Sequence, residues 1–156
     1  MNVIQIMQWL MFLTPVATLV LIGDKTLRRF LPVALFVTVV NTLIYQAAYH
    51  YNWWREPGLF EWDKVANIPW VYSAYLVATL WIFKLTYGKF TIYLITNLIL
   101  DGVYIYLWYP IQQKLGLASG EMSPDITYLI MIGVALLIYG FQIWYEKDLQ
   151  SNKDAN

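Results

Sequence analysis

Five apolar blocks, each long enough to cross a bilayer, fill most of this chain. They cover residues 3–22, 30–51, 68–87, 90–109 and 126–145. A helix needs about 20 residues to span the hydrocarbon core of a membrane. Because lipid offers the backbone no hydrogen-bond partners, each block is predicted to be an α-helix. The pattern therefore predicts an all-α, polytopic membrane bundle of five transmembrane helices.

The composition agrees with this class of protein. Of the 156 residues, 60% are hydrophobic and 13% are charged, whereas soluble domains are about 25% charged. No linker between the blocks is long enough to separate two domains. Residues 1–146 are thus expected to form a single transmembrane bundle, and residues 147–156 a short polar cytoplasmic tail.

The basic residues predict an orientation for this bundle. Seven of them map to one side of a five-helix zigzag: Lys25, Arg28, Arg29, Lys84, Lys89, Lys147 and Lys153. Only Arg55, Lys64 and Lys114 map to the other side. Because cytoplasmic loops are enriched in Lys and Arg, the N-terminus is predicted outside and the C-terminus in the cytoplasm.

Two of the predicted helices carry a polar stripe along one face. On the fourth block, at 100° per residue, the stripe comprises Tyr93, Asn97, Asp101, Tyr104 and Trp108. On the second block it comprises Thr38, Asn41, Thr42, Tyr45, Gln46 and Tyr49. The opposite face of the fourth block is aliphatic. These stripes are expected to face protein or a cavity, while the aliphatic faces contact lipid.

Asp101 is the acidic residue placed inside the membrane by this pattern. It lies roughly 12 Å below the outer end of its helix, judged from the helical rise. An ionised carboxylate at that depth costs at least about 2.5 kcal/mol. Two interpretations stay open. Asp101 is either a neutral group that ties the second and fourth helices together, or a proton, ion or ligand site for which Asn97, Asn41, Tyr45 and Tyr104 are the neighbouring candidates.

The aromatic residues are concentrated at the predicted outer side. Six of eight tryptophans map there: Trp9, Trp53, Trp54, Trp62, Trp70 and Trp108. An aromatic belt at the headgroups explains single rings, but a belt normally populates both interfaces. The loop over residues 52–69 therefore suggests, as the alternative, a lid over an outward-facing pocket. Its candidate residues are Trp53, Trp54, Glu56, Glu61 and Trp62.

Other chemistries lack residues or motifs to support them. The chain has no cysteine and one histidine, His50, so neither a metal site nor a cofactor is expected. It contains no P-loop, no Gly-rich dinucleotide loop and no G-x-S-x-G elbow. The basic residues are too scattered for a nucleic-acid surface. These absences disfavour the chemistry of soluble enzymes, without assigning any reaction to the chain.

The chain also resembles a known group of proteins. The residues that carry this resemblance are the run from Arg28 to Phe36, then Asn41, and then the run from Tyr49 to Trp54. They resemble small, Trp-rich, multi-pass membrane proteins of spore-forming Gram-positive bacteria. The resemblance covers about the first two-thirds of the chain and implies a bacterial cytoplasmic membrane. It implies no activity and no site residues.

Three functions are compatible with the sequence. The first is a small binding or transport-accessory protein with an outward-facing polar and aromatic pocket around Asp101, open to a small apolar or cationic ligand. The second is a membrane-embedded enzyme acting on a lipid or isoprenoid, with Asp101 and either Glu56 or Glu61 as the acid–base pair. The third is a structural or sensory subunit whose stripes pack on a second copy or on a partner membrane protein. We favour the first as the working hypothesis.

Overall fold

The computed structural model describes residues 3–154, with side chains over residues 4–147, as helices joined by turns. The helices are α1 (Val3–Thr18), α2 (Asp24–His50), α3 (Tyr75–Thr86), α4 (Phe90–Val103), α5 (Tyr109–Lys114) and α6 (Pro124–Asp154). A 3₁₀ turn, Leu19–Leu21, extends α1, and π-helical turns precede α3 (Trp70–Ala74) and join α4 to α5 (Tyr104–Trp108). Residues 3–154 contain no β-strand, so the predicted all-α class is confirmed for the part of the chain that is described.

Four of the resulting five helical rods are long and apolar enough to cross a membrane. They contain Ile4–Leu21, Asp24–His50, Phe90–Lys114 and Pro124–Lys147. The remaining rod, built from the turn Trp70–Ala74 and α3, is shorter than these. On α2 and α4 the aliphatic faces are exposed, as at Val39 and Ile99, each 58% accessible. Such faces are what lipid contact requires.

The helix ends differ from the predicted boundaries at charged positions. α2 begins at Asp24, well before residue 30, because Gly23 turns the chain with φ of 83° and its carbonyl accepts the Leu27 N–H at 3.0 Å. α6 continues to Asp154, through most of the predicted tail. Long basic side chains can extend toward water from a helix, so charge alone does not end one. Residues 155 and 156 of the predicted tail lie outside the described residues.

Four rods surround a common interior, and α1 lies outside them. α2 packs on α3 and α6, and α4 packs on the same two helices, so α2 and α4 stand on opposite sides of the ring. α1 packs on α3 and its π-helical turn. Two hydrogen bonds fasten it there: Ser73 Oγ donates to the Phe12 carbonyl at 2.6 Å, and Trp81 Nε1 donates to Thr18 Oγ1 at 2.9 Å.

The half of the ring toward the predicted cytoplasmic side is filled by packed side chains. Phe83 and Tyr93 are fully buried there, with ring centroids 5.3 Å apart, and Tyr139 packs against both. The Tyr93 hydroxyl donates to the Ala135 carbonyl at 2.8 Å, which joins α4 to α6. This core closes the interior of the bundle at that end.

At the opposite end, the two long loops pair with each other. Arg55 and Ser119 exchange two backbone hydrogen bonds of 2.6 and 2.9 Å, and the Glu121 N–H donates to the Asn52 carbonyl at 3.0 Å. Gly120 lies so close to the Trp53 backbone that a Cβ would stand 2.2 Å from the Trp53 carbonyl oxygen. Only glycine permits this approach, so the two loops are joined at this point.

Candidate functional site

A cavity of about 520 Å³ lies inside the ring of helices, beneath the two joined loops, which are named the outer loops after their predicted side. α2, α3, the α4–α5 rod and α6 all contribute to its wall, which runs from Trp53, Trp54 and Met122 down to Ile82 and Ile138. Its aromatic lining residues are Tyr45, Trp53, Trp54, Trp70, Tyr75, Tyr104 and Tyr109. The volume falls within the range of small-molecule pockets, about 300–1,000 Å³.

Asp101 lines this cavity together with all four neighbours proposed from the sequence. Asn97 and Tyr104 accompany it on the α4 side, and Asn41 and Tyr45 lie on α2 across the ring. Part of each polar stripe therefore meets the other across a space. Gln46 and Tyr49, which the periodicity places on the α2 stripe, do not line the cavity, and Gln46 is exposed. α3 and α6 lie between α2 and α4 and complete the wall.

The carboxyl group of Asp101 has no hydrogen-bond or ion-pair partner among the described residues. The Asn97 amide donates instead to the Tyr93 carbonyl of its own helix at 2.8 Å. Asn41 likewise has no side-chain hydrogen bond within the described part of the chain. Among the described residues, no direct hydrogen bond joins Asp101 to α2. Its carboxyl group is left available to whatever occupies the cavity.

The walls around Asp101 carry acidic but no basic side chains. Besides Asp101, the ionisable carboxyl group on the lining is that of Glu121, which is exposed in the loop before α6. No Lys, Arg or His is found among the described residues that line the cavity. A buried charge is normally neutralised by an opposite charge or by a proton. Any compensating positive charge must therefore come from outside the chain.

Glu56 forms a second acidic centre directly behind the aromatic wall. The Tyr104 hydroxyl donates to its Oε1 at 2.6 Å and the Tyr45 hydroxyl to its Oε2 at 3.1 Å. Glu56 is 8% exposed, and burial raises its pKa to about 7, against the opposing effect of the two hydrogen bonds. It does not line the cavity; it lines a separate outer groove with Arg55 and Lys64. Glu56 therefore fixes two cavity tyrosines from the outer side.

Two π-helical turns shape the cavity wall. Trp70 and Ala74 bound one of them and Tyr104 begins the other, and all three residues line the cavity. A π turn holds an additional residue and rotates the helix beyond it. Beyond the second turn, Tyr109 faces the cavity, whereas Trp108, which the 100° periodicity assigned to the stripe, is exposed. Such turns occur often at functional sites.

The aromatic rings of the wall contact one another. Trp70 meets Tyr104 edge to face with ring centroids 4.9 Å apart, and Tyr75 at 5.8 Å. Tyr45 meets Trp54 edge to face at 5.8 Å. These contacts limit the rotation of each side chain, so the wall is preorganised.

Besides Glu56, two of the proposed outer-loop residues do not line the cavity. Trp62 is 72% exposed and stacks on Phe60 with centroids 5.1 Å apart, and Phe60 in turn contacts Trp9. Glu61 is exposed and lines the outer groove. The loop turns back at Asp63, whose carboxylate accepts the N–H groups of Leu59 and Ile68 at 2.9 Å each. This turn directs Trp62 outward, where an indole suits the membrane interface.

The described residues contain no group of three or more His, Asp or Glu side chains arranged to hold a metal ion. His50 is exposed at the end of α2 and contacts the ring of Tyr51 at 4.7 Å. The groups that line the cavity are aromatic faces, amide groups and carboxyl groups.

The fold and the cavity define an all-helical protein with four helices suited to cross a membrane and an acidic, aromatic interior. Comparison of the chain with protein-family models, with curated proteins and with solved structures gives no match.

Proposed function

We propose that this chain is an integral membrane protein with five spans, its N-terminus outside and its C-terminus in the cytoplasm. The excess of basic residues at the end of the bundle that holds Arg29 and Lys89 supports this orientation. The shorter third rod is wrapped by α1, α2 and α4, so it needs little lipid contact of its own. The resemblance of the chain to small, Trp-rich membrane proteins of spore-forming Gram-positive bacteria favours the bacterial cytoplasmic membrane.

Within that membrane, we propose that the protein binds a small ligand in the cavity around Asp101, either as a binding protein or as an accessory to transport. One observation carries this proposal: an unpartnered carboxyl group faces a preorganised, aromatic-walled cavity that ends beneath the outer loops. Intramembrane acidic residues are costly, and they generally mark ion, proton or ligand sites.

The other two functions gain less support from the geometry. The acid–base pair proposed from the sequence needs Glu56 or Glu61 beside Asp101, yet Glu56 is held behind Tyr45 and Tyr104 and Glu61 is exposed. A structural subunit would present its polar stripes to a partner, but the part of each stripe around Asn41 and Asp101 lines an interior space. Ligand binding, by contrast, needs only one acidic group and polar residues that face an interior space.

The absence of cysteine makes this proposal testable by labelling at single introduced cysteines. Asn41→Cys tests the cavity, Val39→Cys the lipid-facing side of the same helix, Ser119→Cys the outer loop and Lys89→Cys the inner turn. In intact cells, a membrane-impermeant maleimide is expected to label Ser119→Cys and Asn41→Cys, but not Val39→Cys. Lys89→Cys should react only after the cells are opened. Labelling of Lys89→Cys in intact cells contradicts the orientation, and an unreactive Asn41→Cys contradicts an outward-facing cavity.

A further inference from the structure

The charges and the aromatic faces of the cavity restrict the ligand further. We infer that the cavity binds an apolar organic monocation, such as a quaternary or tertiary ammonium compound, with its charge near Asp101 and its apolar body against the aromatic wall. This inference rests on the proposed function, since it names the class of ligand for the same site.

The sign of the charge follows from the lining residues. Asp101 lies in the wall without a partner among the described residues, and no basic side chain lines the space around it. An anionic ligand would meet an acidic wall with nothing to neutralise it, at a cost that rises as the local dielectric falls. A ligand with one positive charge supplies the counter-charge that the cavity lacks.

The aromatic wall favours an organic cation over a metal ion. Trp70, Tyr75 and Tyr104 form a contacting group, with Trp70–Tyr104 and Trp70–Tyr75 centroid separations of 4.9 and 5.8 Å. Ring faces attract cations, and cages of aromatic rings are a common way of recognising quaternary ammonium groups. Ca²⁺ instead takes 6–8 oxygen ligands and Mg²⁺ about six, in close geometry. No group of three or more acidic or histidine side chains is available in the described part of the chain.

The remaining lining fits the body of such a ligand. Ile82, Ile130, Met131 and Val134 provide an apolar surface below and beside the aromatic group. The amide of Asn41, without a side-chain partner among the described residues, adds an oxygen that can accept from a protonated amine. A quaternary ammonium group needs no such acceptor, so the site can take either type of cation.

Benzyltrimethylammonium and its uncharged analogue neopentylbenzene provide a matched pair of probes. The two molecules have the same shape and differ only in the central atom and its charge. Binding to the full chain in nanodiscs is measured by equilibrium dialysis, with empty nanodiscs as the blank. We expect saturable binding of the cation, weakened at least tenfold by Asp101→Asn, which corresponds to about 1.4 kcal/mol. Asp125→Asn, an exposed acid outside the cavity, should leave binding unchanged.

A second variant keeps the inference testable if the Asp101→Asn protein does not fold. Trp70→Leu removes an aromatic face and keeps all charges; it should weaken the cation at least threefold, and the neutral analogue by a smaller factor. Equal binding of cation and analogue, with no effect of Asp101→Asn, would overturn the inference and leave the proposed binding function standing. If neither probe binds and Asn41→Cys is unreactive, both the inference and the proposed binding function are wrong. Competition of benzyltrimethylammonium by millimolar Ca²⁺ or Na⁺ would show an inorganic cation site and also overturn the inference.

Discussion

The Tyr104 hydroxyl donates a 2.6 Å hydrogen bond to Oε1 of Glu56, across 48 positions of the chain. This bond joins the π-helical turn after α4 to the outer loop, and the bond from Tyr45 joins the same carboxyl group to α2. Glu56 thus connects three separate elements at the top of the cavity. Because its burial is nearly complete, its protonation should affect the stability of the whole outer end.

This arrangement predicts that Glu56 makes stability depend on pH. Burial raises the pKa of Glu56 to about 7 from its ordinary 4.5, so the folded state holds the proton more tightly than the unfolded state. The contribution of Glu56 is therefore fully present below about pH 4.5 and is lost as the pH rises through about 7. The loss is on the order of 3 kcal/mol.

Thermal unfolding in detergent at several pH values between 4.5 and 8 measures this effect. We expect Glu56→Gln to flatten the decline of the unfolding temperature seen for the wild-type chain over that interval. Glu61→Gln, in the same loop but exposed, should keep the wild-type profile. A Glu56→Gln profile parallel to that of the wild type would contradict the role assigned to Glu56.

The joined outer loops lead to a second prediction, at Gly120. This residue has φ of 148°, and an added Cβ would lie 2.2 Å from the Trp53 carbonyl oxygen and 2.6 Å from the Trp54 Cα. Gly120→Ala should therefore separate the two loops and destabilise the outer end by about 1–3 kcal/mol. Limited proteolysis of the outer loops and the unfolding temperature both report the change.

Gly133→Ala provides the matched control, because a Cβ at that helical position meets nothing within 4 Å. It should leave stability equal or higher, since alanine favours a helix over glycine by about 1 kcal/mol. If Gly120→Ala is as stable and as protease-resistant as Gly133→Ala, the close contact between Gly120 and the Trp53 backbone is contradicted.

The ion pair at the opposite end gives a third prediction. Arg29 donates to both carboxylate oxygens of Glu146, at 2.6 and 3.0 Å, and Gln142 donates to Glu146 as well. Because the Arg29 side chain is 54% exposed, the pair should contribute only about 0.5–1 kcal/mol. A double-mutant cycle with Arg29→Gln and Glu146→Gln measures this coupling, which should shrink in 1 M salt. No coupling at low salt, or one equal to that between Arg28→Gln and Glu146→Gln, would argue against the pair.

The sequence was most informative where local periodicity determines the result. Runs of apolar residues predicted the helices, and the 100° spacing assigned Asn41, Tyr45, Asn97 and Asp101 to interior faces. The same spacing failed after Tyr104, where a π-helical turn rotates the helix. Tyr109 therefore lines the cavity in place of Trp108. No composition signal marks that turn, because it depends on the packing around it.

Glu56 illustrates a different limit. The sequence marked Glu56 as an outer-loop candidate and as a possible acid–base partner of Asp101, but it gave no indication that Glu56 is buried. Its burial depends on tyrosines that are 11 and 48 positions away. The same holds for Glu61 and Trp62, which the loop directs outward once Asp63 has turned the chain. Contacts of this kind follow from the tertiary fold and carry no short-range pattern.

The central claim is that an acidic cavity around Asp101 opens to the outside, and charged thiol reagents test it directly. In cells expressing Asn97→Cys, the modification rates of a cationic and an anionic methanethiosulfonate of similar size are compared, with Ser119→Cys as the exposed reference. We predict that the cationic reagent reacts at least tenfold faster at Asn97→Cys relative to the reference, and that adding Asp101→Asn removes most of this preference. An unreactive Asn97→Cys, or a preference that Asp101→Asn does not change, would contradict the account.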